Sequence, residues 1–368
     1  MRVFTIASGE VRETDALAPT PPAHGFIWIA CGRSEFELGL GEIQASLQAL
    51  AGSMLVDLHV SDLLNQQLPS HFDYTSRYDI LVFRRLAAGH GEADRTPPIP
   101  GRAPPAKRSG PPVLRRIDTS PVGFAVFDRV VLTVHPAGCT VLEQYATRLL
   151  SSHGGGRTAG AHRPSSPADL MLRVVNQMVD GYLELRRDLT RQLDHWQTEL
   201  LHPKTRFTNW GSLLDARIAL HHLDDICEDQ RSAVQDWIES LASWEPDDES
   251  GGQRSLELLR VRSRDVLEHI ERVVHHVRRL EQNAETAVQM HFSAQSNRAN
   301  DIMRTLTVLT AIFLPLNLIA GIFGMNFDFI PLIHRQSGFW WAMASMGAIA
   351  VGLSVIFWRK RYLERSRG

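Results

Sequence analysis

The chain has 368 residues, 43% of them hydrophobic and 22% charged, with a formal net charge of −2. That length allows two domains and a large core, and the near-neutral balance removes the main support for a nucleic-acid-coating role. Three scattered cysteines, Cys31, Cys139 and Cys227, include no C-x-x-C pair and so make neither a disulfide framework nor a zinc knuckle.

Residues 1–150 predict a mixed α/β domain. Apolar, β-prone runs occur at 25–30, 78–83 and 122–127. After Asp128-Arg129 comes a second β-branched run at 130–134, the pattern of a hairpin with a two-residue break, although neither turn residue is Gly. The first residues, MRVFTIASGEVRETD, lack the apolar core of a signal peptide, which leads us to expect a cytoplasmic N-terminus. Between the strands, residues 92–112 hold seven of the 19 prolines and read as a disordered surface insertion. A second soft stretch at 151–167, SSHGGGRTAGAHRPSSP, separates this domain from a helical region.

From Ala168 onward the pattern is that of long helices, expected at about 168–201, 206–244 and 254–325. Pro203 and the segment 245–252 supply the breaks. In the third helix, alternate steps of three and four pick out Leu256, Leu259, Ser263, Val266, Ile270, Val273, Val277, Leu280, Ala284, Ala287, His291 and Ala294. Ten of these twelve are apolar, the signature of a seam packed on other helices. No Pro or Gly occurs between Gln253 and Ala311, so an uninterrupted helix would be about 105 Å long at 1.5 Å per residue. The adjacent pairs His221-His222 and His275-His276 point about 100° apart on a helix and make poor chelates.

Two windows near the C-terminal end carry no charge. Arg304 and Asp328 bracket 23 residues without Lys, Arg, Asp or Glu, and Arg335 and Arg359 bracket another 23. Roughly 20 apolar helical residues cross a bilayer, which gives transmembrane helices at 305–325 and 338–358. Phe339, Trp340, Trp341, Trp358 and Tyr362 mark the ends of the second span, where aromatic rings favour the headgroup level. Arg359, Lys360, Arg361, Arg365 and Arg367 come after it, so the positive-inside rule places the C-terminus in the cytoplasm. Two crossings return the chain to its starting side, and the domains expected are 1–150, a helical stalk region at 168–304, the two spans, an outer loop at 326–337 and a basic tail at 359–368.

A second register on the third helix reads Gln289, Ser293, Ser296, Asn300, Met303, Thr307, Thr310, Leu314, Asn317, Gly321 and Gly324. This stripe is small, polar and uncharged, and it continues into the first span. Lipid cannot satisfy an amide such as that of Asn317, so the stripe faces either a partner helix or water. Two helices cannot enclose a channel alone, so a pore requires several copies. Met303 and Leu314 would then form apolar rings able to gate by dewetting.

The first span ends Pro315-Leu316-Asn317-Leu318-Ile319-Ala320-Gly321-Ile322-Phe323-Gly324-Met325-Asn326-Phe327. With a second span and basic residues after it, this resembles the CorA family of divalent cation channels, whose hallmark is Gly-Met-Asn, here Gly324, Met325 and Asn326. The resemblance implies a funnel-shaped homopentamer with an α+β cytoplasmic domain, a helical stalk and two C-terminal spans, both termini cytoplasmic, in an inner membrane. It implies inward movement of Mg2+, often also Co2+ or Ni2+, with pore residues at Asn300, Met303, Thr310, Leu314, Asn317 and Gly321 and no cofactor beyond the ion.

A ring of neutral oxygen acceptors suits Mg2+, which is small and keeps its waters, and Asn326 with nearby carbonyls supplies one. Gly324 offers both close backbone approach and freedom in φ where the helix ends. Asp328 in the outer loop would attract the ion. Asp265 aligns with an acid that in the family binds a regulatory Mg2+. Phe323 stands where Tyr is common and Asn317 where Thr is usual; His334 and Arg335 weaken the outer electrostatic funnel. Those departures keep zinc transport as an alternative, and a scaffold or sensor without transport is the alternative outside the family. There is no Walker loop, G-x-S-x-G or H-E-x-x-H, so an enzyme is not expected.

Overall fold

The computed structural model describes residues 1–7, 10–14, 22, 24–88, 117–151, 163–201, 210–244, 252–325 and 336–359. It divides into two compact units, Met1–Glu285 and the residues from Thr286 onward. The Pro-rich insertion at 92–112, residues 326–335 of the outer loop and residues 360–368 of the basic tail lie outside the described residues.

The first unit is built on a seven-stranded sheet ordered β2-β1-β3-β9-β8-β5-β4. These strands are β1 (Arg2–Ala7), β2 (Glu10–Thr14), β3 (Gly25–Gly32), β4 (His71–Tyr74), β5 (Asp79–Arg84), β8 (Pro121–Val126) and β9 (Val130–His135), with a separate two-residue ladder of β6 (Ala87–Ala88) and β7 (Ile117–Asp118). Only the β3–β9 pair is parallel. The expected hairpin is β8–β9, closed by Phe127 N–H donating to the Val130 carbonyl at 2.8 Å.

Both faces of the central strands are buried, which is why these strands read as apolar runs rather than as alternations. On one face Ile27, Ile29, Ile80, Val82, Leu132 and Val134 pack under α1 (Arg33–Leu38), α2 (Leu40–Ala51) and α3 (Asp57–Leu64). On the other, Trp28, Leu81, Phe83, Phe124 and Val131 join a core shared with α4 (Thr140–Ser151), α5 (Pro167–Leu201), α6 (Trp210–Ala242) and the first part of α7 (Gly252–Phe323). The helices on either side of the soft stretch at 151–167, α4 and α5, therefore share one core.

Side-chain bonds fix the register of the helices. On α5 and α7, Asp169 pairs with Arg262, Asn176 with His269 and Tyr182 with His276, so the two run parallel. On α6 and α7, Trp237 meets Ser263 and Asp224 meets Arg278, so these run antiparallel. The expected seam is buried from Leu256 through Ala287, whereas His291 is half-buried and Ala294 exposed. Of the histidine pair on this helix, His276 is buried and hydrogen bonded to Tyr182 at 2.8 Å, and His275 is exposed. Burial, with Arg186 and Arg279 nearby, pushes His276 down to about 4, so it stays neutral.

The second unit holds the rest of α7 and α8 (Gln336–Arg359). Each is long and apolar enough to cross a membrane, and only 6% and 0% of the most apolar windows are buried. A core helix of a soluble protein would be covered; these are not. Phe339, Trp340, Trp341 and Trp358 are all exposed at the ends of α8.

Candidate ion pathway

The uncharged stripe lies on one face of α7. At about 100° per residue, Met303, Thr307, Thr310, Leu314, Asn317 and Gly321 cluster within a narrow arc, with Asn300 at its edge. Asn300, Met303, Thr307, Thr310, Leu314, Asn317 and Gly321 are all exposed. The more covered side is Val308, Ala311, Ile312, Pro315, Leu316 and Ile319, centred roughly 150° around the helix from the stripe. On α8 the half-covered positions Ala342, Met346, Ile349, Leu353 and Phe357 also keep a helical period. The polar face of α7 is thus the more open one within this unit.

The chemistry of that face is set by the helix itself. Thr307 donates its hydroxyl proton to the Met303 carbonyl and Thr310 donates to Leu306, both at 2.8 Å. Back-bonding of this kind spends the hydroxyl proton on the backbone. What each Thr presents outward is an oxygen acceptor, the group that the water shell of a hydrated cation can donate to. Above and below the two Thr, Leu314 and Met303 are 69% and 62% exposed, far more than apolar side chains retain in a packed contact.

Pro315 lies inside α7, and its missing N–H leaves the Ala311 carbonyl without its helical donor. The helix ends at Phe323, where Gly324 N–H donates to the Ala320 carbonyl at 2.9 Å and Met325 N–H to Ile322 at 3.3 Å. Of the two backbone roles expected of Gly324, the structure uses one. The residue does not adopt a positive φ; its role is close approach, since a Cβ there would sit 3.0 Å from the Ala320 oxygen. A Cβ at Gly321 would meet nothing within 4 Å. Asn326 and Asp328 lie outside the described residues.

Asp265 is in the first unit, far along α7 from the stripe. Its carboxylate is exposed and lies 3.9 Å from His269 Nε2, while Nδ1 of the same ring is 3.2 Å from the Asn176 amide oxygen and 3.7 Å from Asp180. Asp265 and Asp180 therefore flank one imidazole. Among the described residues no group of three His, Cys, Asp or Glu side chains is placed to hold a metal ion. Asp180 and Asn176 escaped the sequence reading because α5 carries no motif; the parallel α5–α7 register brings them here.

An α/β/α domain whose last helix continues into one exposed apolar span, with a second after it, defines a two-span integral membrane protein. The model of the CorA-like Mg2+ transporter protein family matches residues 105–361, and the chain belongs to that family. It is 36% identical over 100 residues to the cobalt/magnesium transport protein CorA of Thermotoga maritima, covering 27% of this chain and 28% of that one. It is 34% identical over 101 residues to the magnesium transport protein CorA of Haemophilus influenzae, covering 27% and 32%. The chain thus spans well under two thirds of these relatives' length. The fold is that of the complete CorA magnesium transporter of Methanocaldococcus jannaschii, with a TM-score of 0.67 at 17% identity over 97% of both chains. The full-length CmaX protein is similar, at 0.63 and 18% identity over 98% of this chain and 97% of that one.

Proposed function

We propose that several copies of this chain, five by resemblance to the family, enclose a gated pore that carries divalent cations, Mg2+ foremost and also Co2+ or Ni2+, down their electrochemical gradient. The observation that supports this best is the open, uncharged stripe of α7 on the side away from the covered face. Its acceptor oxygens suit a cation that keeps its waters, and the lack of carboxylates keeps binding weak enough for release. The names of the relatives in Thermotoga and Haemophilus point to magnesium and cobalt rather than zinc. Asn326 with Gly324 and Met325 forms the selectivity mouth, Asp328 attracts the ion outside it, and both termini are cytoplasmic in an inner membrane. A membrane potential contributes about 2.3 kcal/mol per charge per 100 mV to entry.

The test is Mg2+ flux into proteoliposomes loaded with a Mg2+-sensitive dye. Wild type should carry Mg2+, and Asn326→Ala should cut the flux or its preference for Mg2+ over Co2+ at least tenfold. A wild-type protein that moves no dication would leave a scaffold, and unchanged flux in Asn326→Ala would remove the mouth.

A further inference from the structure

After Glu285 the chain carries eleven Lys, Arg, Asp and Glu side chains, and they are spread unevenly. Asp328 and Arg335 stand between the two spans and cancel. The other nine flank the opposite end of the pair, where α7 enters its apolar stretch and α8 leaves it. Arg298, Arg304 and Arg359 are cations on the helices themselves, and all three are exposed. Lys360, Arg361, Arg365 and Arg367 follow Arg359 within eight residues, and the acids at this end are Asp301 and Glu364. Seven cations against two acids leave an excess of five positive charges per chain at one end and none at the other.

Both helices set the depth of these charges. Arg304 is the last charged residue before 23 uncharged ones. It lies about 100° around α7 from Met303 and the polar stripe, so it is no part of the ion pathway. Trp358, 69% exposed, precedes Arg359 at the end of α8, and an indole favours the headgroup level. Long basic side chains at span ends extend to that same level. Phe339, Trp340 and Trp341 are exposed at the other end, so aromatic anchors are common to both ends. What distinguishes one end is its charge.

We propose that this end of the second unit binds anionic phospholipid headgroups, with Arg304 and Arg359 at the lipid phosphates and the basic residues after Arg359 adding to the attraction. Six of the seven cations are Arg, whose planar fork matches a pair of phosphate oxygens. A cluster of this size beside a span attracts an anionic leaflet, by about fivefold per cation near the surface. A role in orienting the chain during insertion would leave the inserted protein indifferent to lipid charge, which separates the two ideas. The proposal rests on the two spans crossing a bilayer and not on transport.

The experiment uses the full-length chain carrying Trp340→Phe and Trp341→Phe, so that Trp358 is the tryptophan left in the spans. It is reconstituted into vesicles of equal parts phosphatidylglycerol and phosphatidylcholine, with bromine on the chains of one lipid or the other. Brominated phosphatidylglycerol should quench Trp358 more strongly, corresponding to about three- to tenfold preferential association. Salt at about 1 M, where charges are screened beyond roughly 3 Å, should reduce the preference. The combination of Arg304→Gln, Arg359→Gln and Lys360→Gln should bring it close to one, and Arg359→Lys, which keeps the charge, should retain most of it. Equal quenching by the two lipids in the parent protein, or an unchanged preference in the triple variant, overturns the proposal. Loss of the preference on adding inorganic phosphate at matched ionic strength would assign the cations to a free oxyanion and overturn it too.

Discussion

The indole N–H of Trp237 on α6 donates to the hydroxyl of Ser263 on α7 at 2.9 Å, and that hydroxyl in turn donates to the Leu259 carbonyl at 2.8 Å. Both side chains are essentially buried. Ser263 is the polar position in the middle of the seam of α7, and it is there because Trp237 needs an acceptor. Ser263→Ala should therefore destabilise the protein by about 1–3 kcal/mol, the cost of orphaning a buried donor. Adding Trp237→Phe should recover part of that loss. Thermal unfolding of the single and double variants in detergent would check both, and an additive double variant would show that the bond contributes nothing.

Asp79, at the start of β5, is 8% exposed. Burial first, and then the charge of Asp128, push its carboxyl up to about 7 from the ordinary 3.8. Between those values the unfolded chain has lost the proton that the folded chain keeps, so stability falls as pH rises through the window and levels off above it. Asp79→Asn should remove that slope. At about 1.4 kcal/mol per unit the variant gains a few kcal/mol over wild type near pH 8 and almost nothing near pH 4. Unfolding temperatures of the pair across this range provide the measurement; a difference independent of pH would assign Asp79 to the solvent.

How much of this was legible in the sequence depends on whether an element advertises itself by period. The β8–β9 hairpin shows as two apolar runs around a two-residue break, whereas the spans and the α7 seam do have a period, because burial or lipid exposure repeats along one element. The stripe was legible for the same reason, from Asn300 to Gly321. What the sequence hid is whatever two distant elements make together. Asp169 and Arg173 lie on α5, which carries no motif, and only the parallel register of α5 and α7 brings them to Arg262. Gly324 shows a finer limit: its residue type announces a special backbone role but does not say whether φ or close approach requires it.

On the open face of α7, Leu314 is the largest apolar group between Thr310 and Asn317. If it forms a dewetting ring, trimming it should make the closed state leak. Leu314→Ala is expected to raise basal Mg2+ flux in proteoliposomes by about fivefold or more. Leu309→Ala, exposed on a different side of the helix, should leave it near wild type. Equal effects from both would mean that lipid-facing packing, not a pore constriction, controls the flux.

Asp265 and Asp180 compete for one imidazole, since His269 Nε2 lies 3.9 Å from the first and Nδ1 3.7 Å from the second. Neither contact is short, so a divalent cation could draw either carboxylate away at little cost, and the exposed Asp265 more readily. If Mg2+ bound to Asp265 holds the pore closed, Asp265→Ala should require about tenfold more Mg2+ to suppress flux. Asp180→Ala should shift the same curve in the same direction by less, because its link to Asn176 at 3.3 Å already holds it in place. Flux recorded against internal Mg2+ in the two variants separates the cases, and a wild-type curve for Asp265→Ala would remove this aspartate from regulation.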